Sequence, residues 1–160
     1  MKIQQQNIYN PSMKALYFTR TIPMRSGTVD YINQKITKNG IKYVEDSSAK
    51  LTPIMREAFA ENNFIKNLAE KFDVFVFYLG ERFSCGNFDS SASIHVVREE
   101  NGSFFSDSYI FGASDKYTPD GARLRLLANI NGEQYIDKST YKLGKFRVRC
   151  DNETQKWVNE

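Results

Sequence analysis

The stretch DVFVFYLG at residues 73–80 limits the possible folds more than any other part of the chain. It is a continuous apolar run of β-branched and aromatic residues, which is typical of a central strand covered on both faces. Two strand patterns follow, SASIHVV at 91–97 and SFFSDSYIFG at 103–112. The dipeptide Asn101-Gly102 between them favours a tight turn. We therefore expect a buried central strand followed by an antiparallel hairpin.

Helical periodicity lies before this run. Val29, Ile32 and Ile36 recur at intervals of three and four residues, which predicts a helix that is capped within Ser26-Gly27-Thr28 and ends before Gly40. Further along the chain, Thr52-Pro53 is typical of a helix start. Two short apolar stripes follow, interrupted at Asn62-Asn63, and predict two consecutive helices or one bent helix.

Strand patterns appear on both sides of these segments. The segment MKALYFTRTI at 13–22 predicts an N-terminal strand, because after Lys14 it separates into two interleaved sets, one at 15, 17, 19 and 21 and the other at 16, 18, 20 and 22. In the last third of the chain, strands are expected at 122–130 (ARLRLLANI), from 133 (EQYI) and at 141–150 (YKLGKFRVRC). Turn signals separate them, at Pro119-Asp120-Gly121 and at Asn131-Gly132.

The segregation of these patterns indicates an α+β protein. We expect an N-terminal strand and two to three helices packed on one face of a mostly antiparallel, meander-like sheet. The polar residues 1–12 suggest a flexible arm and residues 151–160 a polar tail, with a single domain at 13–150 between them.

The last predicted strands carry an unusual charge pattern. In GKFRVRC, at 144–150, the cations alternate with Phe146, Val148 and Cys150, and ARLRLLANI alternates in the same way. Because side chains of a strand point alternately to its two faces, the cations would share one face of the sheet. The predicted binding residues are Arg123, Arg125, Lys145, Arg147 and Arg149, with Tyr135 and Tyr141 as nearby rings.

Three interpretations of this face are open. Arginines beside aromatic rings favour the phosphates and unstacked bases of a nucleic acid, the partner that we expect. They also suit an acidic protein surface, as in an accessory or inhibitor-like protein of bacterial or mobile-element origin, because arginine binds carboxylates in bidentate pairs. A plain solvated face is the third reading, since half-buried antiparallel strands commonly carry charges on their outer side.

A cysteine-dependent enzyme is the alternative to a binding protein. Cys85 lies ten residues before His95, the single histidine, and Asp89 lies between them. A thiol, an imidazole and an orienting carboxylate can form a nucleophile. No helix pattern follows Cys85, although a helix N-terminus is the usual means of stabilising a thiolate.

The composition restricts other classes of function. Two cysteines and one histidine cannot supply four zinc ligands, and no phosphate-binding glycine loop is present, so we expect no metal and no cofactor. The net charge of +3 is too small to indicate nucleic acid by itself. The first residues lack the apolar segment of a secretion signal and no run is long enough to span a bilayer. We expect a cytoplasmic protein with reduced thiols.

Overall fold

The computed structural model describes residues 16–19, 25–37, 40–41, 53–143, 148–150 and 157–159. The predicted arm at 1–12 lies outside these ranges. The described elements, in chain order, are β1 (Leu16–Thr19), α1 (Arg25–Asn33), β2 (Ile36–Thr37), β3 (Gly40–Ile41), α2 (Pro53–Glu61), α3 (Asn63–Ala69), β4 (Asp73–Ser84), β5 (Asn87–Glu100), β6 (Ser103–Asp115), α4 (Pro119–Asn131), β7 (Asp137–Leu143), β8 (Val148–Cys150) and β9 (Trp157–Asn159).

Five of the strands form one sheet in the order β1-β4-β5-β6-β7. The β1 strand runs parallel to β4, and the other neighbours are antiparallel. Two small antiparallel pairs, β2-β3 and β8-β9, stand apart from it. The predicted α+β class with a mostly antiparallel sheet is therefore confirmed.

The β4 strand lies between β1 and β5 and is buried on both faces, as its apolar run predicts. Val74, Val76 and Tyr78 point to one face of the sheet, and Phe75 and Phe77 point to the other. Each set is the centre of a separate hydrophobic core.

The first core lies between the sheet and the helices α2, α3 and α4. It buries Phe18, Met55, Phe59, Ile65, Val74, Val76, Tyr78, Ala92, Ile94, Val96, Phe111, Leu126 and Ile130. The second core lies on the opposite face, where α1 contributes a fully buried Ile32. Its other members are Ile36, Phe75, Phe77, Val97, Phe104 and Leu143. Helices α2–α4 thus share one face, and α1 packs on the other.

Tight turns join the long central strands. The β5–β6 turn at Asn101 and Gly102 has φ angles of 52° and 81°, and the β4–β5 turn at Cys85 and Gly86 has 53° and 84°. Positive φ at both central residues is the requirement of a type I′ turn, whose twist matches that of the flanking strands. The expected hairpin at Asn101-Gly102 is confirmed, and β4 and β5 form a second one.

The predicted interruption between two helices is also confirmed. Asn62 separates α2 from α3, and its side-chain oxygen accepts hydrogen bonds from the backbone N–H groups of Phe64 and Ile65. Its side-chain nitrogen donates to the carbonyl of Leu127 on α4 at 3.1 Å. One asparagine therefore caps α3 and ties it to α4.

The strand predicted at 122–130 is wrong, because this segment lies in α4. Its fully buried residues are Ala122, Leu126 and Ile130, which recur every four residues. Thr118 accepts a hydrogen bond from the N–H of Gly121 as the N-cap, and the proline after it occupies the first helical turn. The residues taken as a turn at 119–121 are thus the start of the helix.

Other boundaries near the ends of the chain differ as well. Helix α1 begins at Arg25 and is followed by the β2-β3 pair, so Gly40 lies in a strand and does not end the helix. No strand forms at 133–136, where the chain leads from α4 into β7. The single strand expected at 141–150 is described as the end of β7 and a separate β8, and β9 lies within the segment predicted as a tail.

Candidate functional site

The prediction of a cationic sheet face is wrong for its first two residues, because Arg123 and Arg125 lie on the helix α4. Arg123 forms ion pairs with Asp120 on the same helix and with Glu81 on β4, the latter at 3.2 Å. The Nε atom of Arg125 lies 3.4 Å from the Oδ1 atom of Asp115. Both charges are balanced by carboxylates and secure α4 to the sheet, so neither arginine belongs to a cationic strand.

The remaining predicted binding residues are dispersed. Lys145 and Arg147 lie outside the described residues, and Arg149 lies in β8, which pairs with β9 and not with β7. Tyr141 is opposite Ser106 on the face of β7 that carries the second core. Tyr135 lies between α4 and β7 and contacts rings on the other face. The structure therefore does not bring the two tyrosines together.

A cationic edge that the sequence reading missed lies on β7, the last strand of the five-stranded sheet. Lys138, Thr140 and Lys142 alternate along it and share one face. Both lysines are exposed, and within the described part of the chain neither ammonium group forms an ion pair. The alternation DKSTYKL was present in the sequence, but the strand was expected to begin only at residue 141.

Aromatic rings on β6 lie directly beside these lysines. Tyr109 is opposite Lys138 in the register, and Phe105 is opposite Lys142. The Nζ atom of Lys138 lies 5.3 Å from the centre of the Tyr109 ring. On the next strand, the guanidinium carbon of Arg98 lies 4.9 Å from the centre of the Phe105 ring. These distances permit cation–π attraction.

The charges beside the rings are only partly balanced. Asp107 accepts hydrogen bonds from Arg98 at 2.7 Å and from the Thr140 hydroxyl at 2.8 Å. Burial by itself would raise the pKa of Asp107, but these two hydrogen bonds and the charges of Arg98 and Lys138 together hold the pKa below its ordinary value. Glu100 pairs with the same guanidinium at 3.0 Å. The guanidinium of Arg98 is thus already paired with two carboxylates.

We name this surface the β7 corner. It consists of Arg98, Phe105, Tyr109, Lys138 and Lys142 on one face of the sheet. Its two lysines carry charge that no described carboxylate neutralises by direct contact, and its rings are half-buried and fixed by the sheet. It can attract an anion by charge and offer ring surface next to it.

The cysteine and histidine of the enzyme alternative lie far apart. Cys85 is an exposed free thiol at the tip of the β4–β5 turn. His95 is eight residues beyond Asn87 on β5, which places it about 27 Å along the strand from the turn. Asp89 accepts a hydrogen bond from the Ser114 hydroxyl. The three residues do not form one site.

His95 is completely buried and serves the packing of the sheet. Its Nδ1 atom lies 2.7 Å from the Ser108 hydroxyl, its Nε2 atom lies 3.1 Å from that of Ser93, and its ring meets Phe77 edge-on. A serine hydroxyl can donate or accept, so both ring nitrogens have a hydrogen-bond partner in either tautomer of the imidazole. Nothing in this arrangement exposes a ring nitrogen to a substrate.

Two further properties bear on the function. Within the ranges that the structure describes, no three His, Cys, Asp or Glu side chains are placed so that they could hold a metal ion together. None of the described helices has the length and apolar character needed to cross a bilayer.

Comparison with known proteins gives no family for the chain. No protein-family model, curated protein or solved structure matches it. The function is therefore argued from the geometry of the β7 corner.

Proposed function

We propose that the protein binds nucleic acid through the β7 corner and does so without catalysis. The observation that carries the proposal is the placement of Lys138 and Lys142 on one face of an edge strand. They are exposed, lie beside the rings of Tyr109 and Phe105, and form no ion pair within the described part of the chain, although the charge of Lys138 also acts on Asp107. A phosphate next to either ammonium group would replace water without breaking an existing ion pair.

The chemistry of the cations favours phosphate over a carboxylate-rich protein surface. Arginine is the side chain suited to bidentate pairing with carboxylates, and Arg98 is already paired with Asp107 and Glu100. The charges left for a ligand belong to lysines, which act as compact point charges and bind phosphate oxygens in many proteins. An acidic protein surface is therefore the second candidate.

Further cationic residues follow β7 in the sequence. The sequence that follows β7 carries Lys145, Arg147 and Arg149 within seven residues of Leu143. The net charge of the whole protein is only +3, so attraction over the molecule as a whole is weak. Binding should depend on a local group of cations and should fall steeply as salt is added.

The test is the fluorescence anisotropy of short labelled RNA and DNA strands, measured with the protein at several salt concentrations. Each phosphate contact contributes a slope of about −0.7 to the log–log salt dependence for a single strand. The double variant Lys138→Glu/Lys142→Glu should abolish binding, and Lys138→Gln/Lys142→Gln should reduce the slope by about 1.4, which corresponds to two lost contacts.

A matched control variant distinguishes the loss of these two lysines from a general effect of the net charge. Arg82 and Lys116 are exposed and lie at the opposite end of the sheet. Ten residues of β6 separate Phe105 from Asp115, which is about 34 Å of strand. The double variant Arg82→Glu/Lys116→Glu changes the net charge by the same amount and should retain binding. Equal loss in both double variants, or no binding to any strand at low salt, would overturn the proposal.

A further inference from the structure

Tyr135 offers a second kind of contact beside the β7 corner. It lies between α4 and β7, and 44% of its surface is exposed. Its ring centre lies 5.4 Å from that of Tyr109 and 6.3 Å from that of Phe111. Both of these rings also contact Phe64 on α3, at 5.3 and 5.8 Å. The exposed ring of Tyr135 thus packs against two rings, and Phe64 in turn contacts both of them.

The backbone on both sides of Tyr135 is held in place. The N–H of Gln134 donates to the carbonyl of Asn129 at the end of α4, at 2.8 Å. The N–H of Ile136 donates to the carbonyl of Ile110 on β6, at 2.7 Å. Because ring and backbone are both fixed before a ligand arrives, little conformational entropy is lost when another planar group packs on the ring.

The position of this ring relative to the charges suits a nucleotide. Lys138 follows Tyr135 by three residues, and both contact the ring of Tyr109. A base on the tyrosine and a phosphate near the lysine would therefore be bound by neighbouring groups. Base–aromatic stacking contributes about 1–3 kcal/mol per base in proteins that bind single strands.

We propose that the ligand of the β7 corner is single-stranded and that Tyr135 stacks on one of its bases. The inference rests on the proposed function, because the lysines must first hold the phosphates. In a duplex each base lies between its neighbours, so its face is not accessible to a tyrosine. In a single strand the base is free to leave the stack and pack on the ring.

The experiment compares two labelled single strands of about eight nucleotides, a length within the range that one small domain binds, with a longer blunt-ended duplex that has no unpaired bases. The single strands are a thymine strand and the same strand with abasic sites in place of its internal bases. Tyr135→Leu should weaken binding of the thymine strand by about 5- to 150-fold, the equivalent of one lost stacking contact. It should leave the salt slope and the abasic probe unchanged. Tyr135→Phe should bind normally, since its ring is retained.

Lys138→Gln is the matched comparison. It should reduce the salt slope by about 0.7 for the thymine and abasic probes alike, because it removes a phosphate contact and no stacking surface. The urea midpoint of each variant, measured in parallel, separates loss of binding from loss of folding. If the duplex binds as tightly as the thymine strand and Tyr135→Leu has no effect, the inference is wrong and the proposed function stands. If no probe binds, the proposed function itself has failed.

Discussion

The Nδ1 atom of His95 and the Oγ atom of Ser108 lie 2.7 Å apart on neighbouring strands, and both residues are fully buried. The pair joins β5 to β6 on the face of the sheet that carries Phe75 and Phe77. A buried polar group that loses its partner retains the penalty of its desolvation, whereas removal of both partners relieves it. The histidine therefore acts as a polar cross-link within an apolar layer.

We expect His95→Leu to destabilise the protein by about 1–3 kcal/mol, because it leaves the buried Ser108 hydroxyl without its ring partner. Ser108→Ala should be destabilising for the complementary reason. The double variant should lose less stability than the sum of the two, since the shared hydrogen bond is removed only once. Urea unfolding of the four proteins measures this coupling. Strictly additive losses would show that the two residues are independent.

A second prediction distinguishes the two readings of residues 122–130. A strand would place Leu124 and Leu126 on the same face and make them equivalent. In α4, Leu126 is fully buried and Leu124 is 67% exposed. Leu126→Ala should therefore cost about 2–5 kcal/mol of the free energy of unfolding. Leu124→Ala is the matched control and should change it by less than about 0.5 kcal/mol. Similar losses in both would contradict the helix.

The same segment shows what the sequence could and could not predict. The apolar run of β4 and the Asn101-Gly102 turn are local signals, and both predictions are confirmed. The segment 122–130 contains two competing patterns, an alternation through Leu124 and Leu126 and a four-residue repeat through Leu126. The alternation predicts a strand and Pro119 is also compatible with a turn, whereas in the structure Pro119 is the first residue of a helix.

The candidate site was less predictable than the fold for a physical reason. The lysines of β7 become a site only through the register that places Tyr109 opposite Lys138 and Phe105 opposite Lys142. These partners are separated by 29 and 37 residues in the sequence. The position of Arg123 could not be predicted for the same reason, because its partner Glu81 lies 42 residues earlier in the sequence and no local pattern indicates the pairing. Pairing of charges over such separations is a property of the folded chain.

The carboxylate of Asp107 should give the protein a defined acid sensitivity. Because the folded-state pKa lies below the ordinary value of about 3.9, its contribution to stability is complete above that pH and is lost as the pH falls through the folded-state pKa. We expect Asp107→Asn to lower stability at neutral pH by about 1 kcal/mol, through the loss of a partly exposed ion pair. The difference from the unmodified protein should narrow below about pH 4.

Urea unfolding at a series of pH values measures this difference. Glu133→Gln is a suitable control, because the side chain is exposed and the substitution makes the same change in charge. The same series of measurements on this variant gives the effect of the charge change at an exposed position. A difference between Asp107→Asn and the unmodified protein that stays constant down to pH 2 would show that the carboxylate is not the group that titrates.

The last prediction concerns the β4–β5 turn. Cys85 has a φ angle of 53°, within 1° of that of Asn101 at the equivalent position of the β5–β6 turn. Asparagine tolerates this left-handed conformation better than cysteine, and Asn-Gly is a preferred type I′ dipeptide. Cys85→Asn should therefore raise the free energy of unfolding by about 0.5–1 kcal/mol, whereas Cys85→Val should lower it, because β-branched residues disfavour positive φ.

The same variant tests whether the Cys85 thiol takes part in binding. The turn lies at the end of the sheet remote from the β7 corner, since Phe88 pairs with Asp115 and Lys142 pairs with Phe105. Cys85→Asn should therefore bind labelled strands with unchanged affinity and unchanged salt slope. A more stable variant that has lost binding would assign the thiol a direct role, and would move the site from β7 to the tip of the hairpin.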